Sequence, residues 1–99
     1  MILEHADIRI DPSKASEFEA AIERGASTVI GKAKGFKGYQ VQRSIESPGR
    51  YLLLIRWETL ENHTVELRGS AAFAEWRAIV GPFFAQPPVV EHLELVAQG

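Results

Sequence analysis

Residues Tyr51–Trp57 read YLLLIRW, apolar on both of the faces a strand presents. Strand side chains alternate between two faces, so such a segment needs cover on both sides and belongs in the centre of a sheet. That is a heavy demand on a chain of 99 residues. A chain of this length makes one domain, residues 1–99, and buries only about two-thirds of its unfolded surface. One layer of helices covers one side of a sheet, and the other side must then be covered from outside the chain.

The flanking segments supply the rest of such a sheet. Ile2–Ile10 reads as a strand with Ile2, Glu4, Ala6, Ile8 and Ile10 on one face and Leu3, His5, Asp7 and Arg9 on the other. Asp11-Pro12 is a helix start, with Asp11 as cap and Pro12 at the first helical position. Phe18, Ala21, Ile22, Ala26, Val29 and Ile30 recur at helical spacing, which carries that helix to about Ile30 before Gly31 and Gly35 break it. Phe36–Ile45 is a second strand, with Tyr39 and Val41 on one face and Phe36 on the other. Ser47-Pro48-Gly49 is a turn, and Tyr51–Trp57 follows as the third strand.

Two short helices are expected next. Thr59 caps the first, and Leu60, His63, Thr64 and Leu67 form its inward stripe. Gly69 ends it by taking positive φ, and Ser70 caps the second. Phe73, Trp76 and Val80 face inward there until Gly81-Pro82. Phe83-Phe84 and Pro87-Pro88 make an extended link to a last strand, Val89–Val96. The order βαββαβ is the ferredoxin-like α+β arrangement: a four-stranded antiparallel sheet with its helices on one face. The uncovered face calls for a second copy of the chain, a homodimer.

Several function classes fall away. Eleven Lys and Arg against thirteen Asp and Glu, a net charge of −2, is not the footprint of a nucleic-acid binder. No apolar run is long enough to span a membrane, and no basic-then-apolar leader is visible, so the cytoplasm is the expected location. Zero cysteines exclude disulfides and thiolate chemistry. There is no dinucleotide fingerprint and no phosphate loop. His5 and His92 lie on strands expected to be neighbours, but no third ligand accompanies them, so no metal site is expected.

What remains is a set of residues suited either to core packing or to a small-molecule site. His63 sits on an inward stripe, either as a hydrogen-bonded core histidine or as a general base. Trp57, Phe73, Trp76, Phe83 and Phe84 are core or the walls of a flat apolar pocket. Arg68, at the Gly69 break, is either solvated or aimed at an anionic oxygen, and Arg77 is read in the same way. Asp7, Arg9, Glu91 and Glu94 are placed to pair across strands.

The segments WETLENHTVELRGS (57–70) and PPVVEHLEL (87–95) resemble the antibiotic biosynthesis monooxygenase family of small dimeric α+β barrels. The resemblance implies two sheets facing each other across a two-fold axis. It also implies one of two chemistries, cofactor-free oxidation of polycyclic phenols by O₂ or haem degradation. The haem-degrading members need a histidine on the second short helix and an asparagine on the first strand. Here Ser70–Gly81 contains no histidine, Arg77 stands near that place, and Asp7 is nearest to the asparagine position. The resemblance therefore implies oxidation of a small aromatic or polycyclic phenol or quinol without a cofactor, and in that reading the general base, the catalytic residue, is His63. The alternative is a non-catalytic small-molecule-binding or stress-related dimer.

Overall fold

The computed structural model describes residues 1–99. Four strands, β1 (Ile2–Arg9), β2 (Phe36–Arg43), β3 (Arg50–Trp57) and β4 (Val89–Glu94), form one sheet in the order β2-β3-β1-β4 with every neighbouring pair antiparallel. Helices α1 (Ala15–Thr28) and α2 (Ala71–Val80) pack on one face. This is the ferredoxin-like α+β arrangement expected. No helix is long and apolar enough to cross a membrane.

β3 occupies an interior position. Its Tyr51, Leu53, Ile55 and Trp57 are buried under the helices, and they meet Ala6, Ile8, Phe18, Ile22 and Val80 in one core. Leu52 and Leu54 project from the opposite face with Leu3, Val89 and Leu93, and no element of the chain covers them. Leu93 and Val89 remain 42% and 58% exposed, which marks that face as apolar and unfinished.

Helix α1 begins as expected, with the Asp11 carboxylate accepting from the Ser13 N–H at 2.9 Å and Pro12 opening a 3₁₀ turn, Pro12–Lys14. Gly25, in its interior, costs helix propensity but makes room for α2. A Cβ there would lie 2.9 Å from the Trp76 ring.

Five local expectations are corrected. A bulge between Phe36 and Gly38 turns Phe36 onto the face of Tyr39 and Val41, where its ring stands edge-on to Trp57. The first short helix is instead a π-helical turn, Asn62–Leu67, with the Arg68 N–H bonded to the His63 carbonyl five residues back. Leu60 is 39% exposed, and Asn62 is buried in its stead. Asn62 and Thr59 cap each other: the Asn62 N–H donates to Thr59 Oγ1, and Asn62 Oδ1 accepts from the Thr59 N–H. Gly69 does not have positive φ; it is small because a Cβ would press on the Val65 carbonyl. Ser70 makes no side-chain cap, since its hydroxyl turns back to the Leu67 carbonyl at 2.6 Å.

Candidate functional site

A cavity of about 580 Å³ lies between the sheet and the α2 side of the helix layer. That is within the range of about 300–1,000 Å³ typical of small-molecule sites. β1 and β3 supply an apolar floor through Ala6, Ile8, Leu53 and Ile55. Leu67, Phe73 and Trp76 form walls from the π turn and α2. The far rim is the Gly81–Pro88 stretch, tethered at the end of β1 by a bridge between Ile10 and Phe84 and by Ala85 N–H to the Arg9 carbonyl at 2.7 Å.

Of the aromatic and basic candidates, His63, Arg68, Phe73, Trp76 and Phe84 line this cavity, together with Arg77. Trp57 and Phe83 do not. Trp57 is wholly buried behind His63, their rings stacked at 5.6 Å and 12°. Phe83 packs edge-on against Phe18, 5.7 Å between centroids, on the core side.

The polar centre of the cavity is an array that strand alternation alone does not reveal. Glu4 lies on the inward face of β1, only 5% exposed, with His92 opposite it on β4. Trp57 Nε1–H donates to Glu4 Oε1 at 2.9 Å. His63 Nε2 lies 3.4 Å from the same oxygen, and His63 Nδ1 lies 2.8 Å from His92 Nε2. With the His63 proton placed on Nε2, toward the carboxyl oxygen, its Nδ1 accepts from Nε2–H of His92. Both His63 nitrogens thus lie beside protein groups, the Glu4 carboxyl on one side and His92 on the other. Glu4 Oε2 has no protein partner and is not sealed away. The carboxyl open to the cavity is therefore that of Glu4, with His63 beside it.

His5, expected near His92, is on the other sheet face opposite Glu91, because the register sets Glu4 rather than His5 beside His92. The ion pairs differ as well: Asp7 holds Arg9 and Arg50 at 3.0 and 3.1 Å, while Glu91 and Glu94 form none.

Burial governs the protonation of the array. It pushes the Glu4 carboxyl above the ordinary carboxylate range, against the opposing pull of the Trp57 hydrogen bond and the Arg68 charge. Burial likewise takes His63 down to about 4, aided by Arg68 and His92, and lowers His92. By distance the Glu4–His63 contact resembles an ion pair. With the imidazole neutral at pH 7 it is a polar contact at 3.4 Å rather than an ion pair.

This has a measurable consequence. Between the unfolded value of 6.5 and the folded value of about 4, the unfolded chain protonates at this histidine and the folded chain does not. Stability from this group is complete above pH 6.5 and is lost as pH falls toward 4, by about 1.4 kcal/mol per unit at most. His92 acts in the same sense, and Glu4, whose folded pKa is raised, offsets part of the loss. Urea unfolding of wild type and His63→Gln across this window should show the shallower dependence in the variant. Parallel curves would mean that His63 is not held neutral.

A ferredoxin-like α+β fold with a one-sided helical layer over an apolar cavity is the class of protein these features define. Residues 1–79 match the family described as antibiotic biosynthesis monooxygenase. The uncharacterised protein YczJ of Bacillus subtilis is 38% identical over 94 residues, 95% of this chain and 98% of its own. A structure from Bordetella bronchiseptica, named for antibiotic biosynthesis monooxygenase, shares 43% identity and a TM-score of 0.91 over 97% of both chains. One of the same name from Caulobacter crescentus shares 30% identity and a TM-score of 0.80 over 97% of this chain and 90% of that one. The chain belongs to the antibiotic biosynthesis monooxygenase family.

Proposed function

We propose that the protein is a cofactor-independent monooxygenase that oxidises a small aromatic or polycyclic phenol or quinol with O₂. The observation that carries this reading is the apolar cavity with one desolvated carboxyl at its floor. Phe73, Trp76 and Phe84 hold the ring system flat, with Trp57 and Phe83 as the packed layer behind. Glu4 Oε2 accepts the hydroxyl proton, while His63 and Trp57 fix the carboxyl through Oε1. A carboxyl raised above its usual range is a better base at neutral pH than an ordinary one. The positive charge of Arg68, felt at Glu4 across the cavity, favours the phenolate that forms.

The electron-rich anion passes an electron to O₂, and the two radicals combine at a ring carbon. Loss of that carbon's hydrogen and cleavage of the O–O bond leave a ring carbonyl and release water. One oxygen atom enters the product and the other leaves as water. The substrate supplies all four electrons, so no further reductant is needed. The protein's part is to position, deprotonate and exclude water.

The working form in this reading is a homodimer, with the Leu3, Leu52, Leu54 and Leu93 face covered by its counterpart. Sedimentation should give twice the 11.0 kDa chain mass, and a monomer at micromolar concentration would refute it. Oxygen uptake with a panel of oxidisable polycyclic phenols tests the chemistry. Wild type should consume O₂, and His63→Ala, confirmed as a folded dimer, should be slower by about 10²-fold through misplacement of Glu4. Equal rates would remove His63 from the mechanism. No uptake by either protein across the panel would favour the non-catalytic binding dimer.

A further inference from the structure

We propose that the ligand of this cavity is an aromatic oxyanion, a flat ring system with a carboxylate- or phosphate-type group that Arg68 and Arg77 receive. The proposal deepens the enzyme reading by naming the substrate class, but the anion site stands on its own geometry. Arg68 and Arg77 enter the cavity wall from different elements, the end of the π turn and the last turn of α2. Neither guanidinium has a carboxylate partner or a side-chain hydrogen bond, whereas Asp7 holds Arg9 and Arg50, and Glu19 holds Arg43. The Arg77 guanidinium carbon stands 6.0 Å over the Phe73 ring, itself a cavity wall. Over the ring face, the guanidinium keeps its donors free of protein partners.

The charge balance is one-sided. The only acid in the cavity wall is Glu4, already engaged with Trp57 and His63 and desolvated by burial. Two uncompensated cations thus face at most one anion, in a chain whose net charge is −2. Guanidinium forks match carboxylate and phosphate oxygens in shape as well as charge, and both side chains, exposed at the cavity wall, are accessible to a ligand headgroup. A neutral polycycle would leave both cations unpaired beside apolar surface. An aromatic cation would meet them as like charges. Pairing Arg68 with a ligand anion would also relieve the pull that lowers the Glu4 pKa, so ligand binding would strengthen the base.

The test is calorimetric titration of the intact protein with four probes of one size. These are a hydroxynaphthoate with its hydroxyl and carboxylate at opposite ends, the parent naphthol, a naphthyl phosphate and an aminomethylnaphthol. The hydroxynaphthoate or the phosphate should bind at least about tenfold more tightly than naphthol, with the advantage shrinking as salt rises. The tighter of the two anions identifies the headgroup. Arg68→Gln and Arg77→Gln should each abolish most of the anions' advantage over naphthol. Equal affinity for naphthol and both anions, or tightest binding of the amine, overturns the proposal. These wild-type arms decide it even if an arginine variant fails to fold. Charge-dependent binding without O₂ uptake would keep the anion site and sink the enzyme reading. O₂ uptake without charge preference would do the reverse.

Discussion

Glu4→Gln is expected to slow phenol oxidation by about 10²–10⁴-fold with the fold intact, the usual cost of losing a positioned base. Glutamine is close to glutamate in shape, and its amide oxygen can still accept from Trp57 Nε1–H, the 2.9 Å bond that anchors the side chain. What it cannot do is take a proton. The loss should fall on kcat more than on KM, because the cavity walls that bind the ring are untouched. Glu4→Asp keeps the carboxyl but withdraws it by one methylene, and should retain a fraction of the rate. The acid limb of the pH–rate profile should vanish in Glu4→Gln. Wild-type rates in that variant would transfer the base to another group and leave Glu4 a structural residue.

Trp57→Ala should be the most destabilising single change in the core, at about 3–5 kcal/mol for the emptied volume alone. The side chain is fully buried, stacked on His63 and met edge-on by Phe36 at 6.3 Å. It also supplies the short hydrogen bond to a carboxyl that burial leaves with few donors. Trp57→Phe separates the two effects. It keeps most of the apolar contact, so its cost should approach that of one unsatisfied buried group, about 1–3 kcal/mol. A domain of this size has a total stability of about 5–15 kcal/mol, so Trp57→Ala should remove a large part of it in urea unfolding. A loss below that of Trp57→Phe would show that the indole is not a packing keystone.

Much of the architecture is written in local pattern. The doubly apolar YLLLIRW run demanded an interior strand, and β3 lies between β2 and β1. Asp11-Pro12 and the Phe18–Ala26 stripe marked the start and inward face of α1. Phe73, Trp76 and Val80 marked that of α2, where Trp76 and Val80 are buried and Phe73 lines the cavity. These signals read well because periodicity and capping depend on neighbours only a few residues apart.

The site is different in kind. His63 and the two arginines were legible as types at suggestive positions, but the group they serve was not. Glu4 looked like a charge spoiling an apolar strand face. Its meaning comes from Trp57, 53 residues later, and from His63, delivered by a π-helical turn that no simple helical repeat anticipates. His92 reaches the array only because β4 pairs with β1 in the register that sets it opposite Glu4. A one-residue slip would have turned His92 to the other face and brought Glu91 or Leu93 inward. The sequence alone determined which elements form and which faces they bury, since those are short-range energies. Tertiary structure alone decided which carboxyl is dry, which imidazole holds it and which arginines stay unpaired. Desolvation and charge pairing depend on what the whole fold brings within a few ångströms.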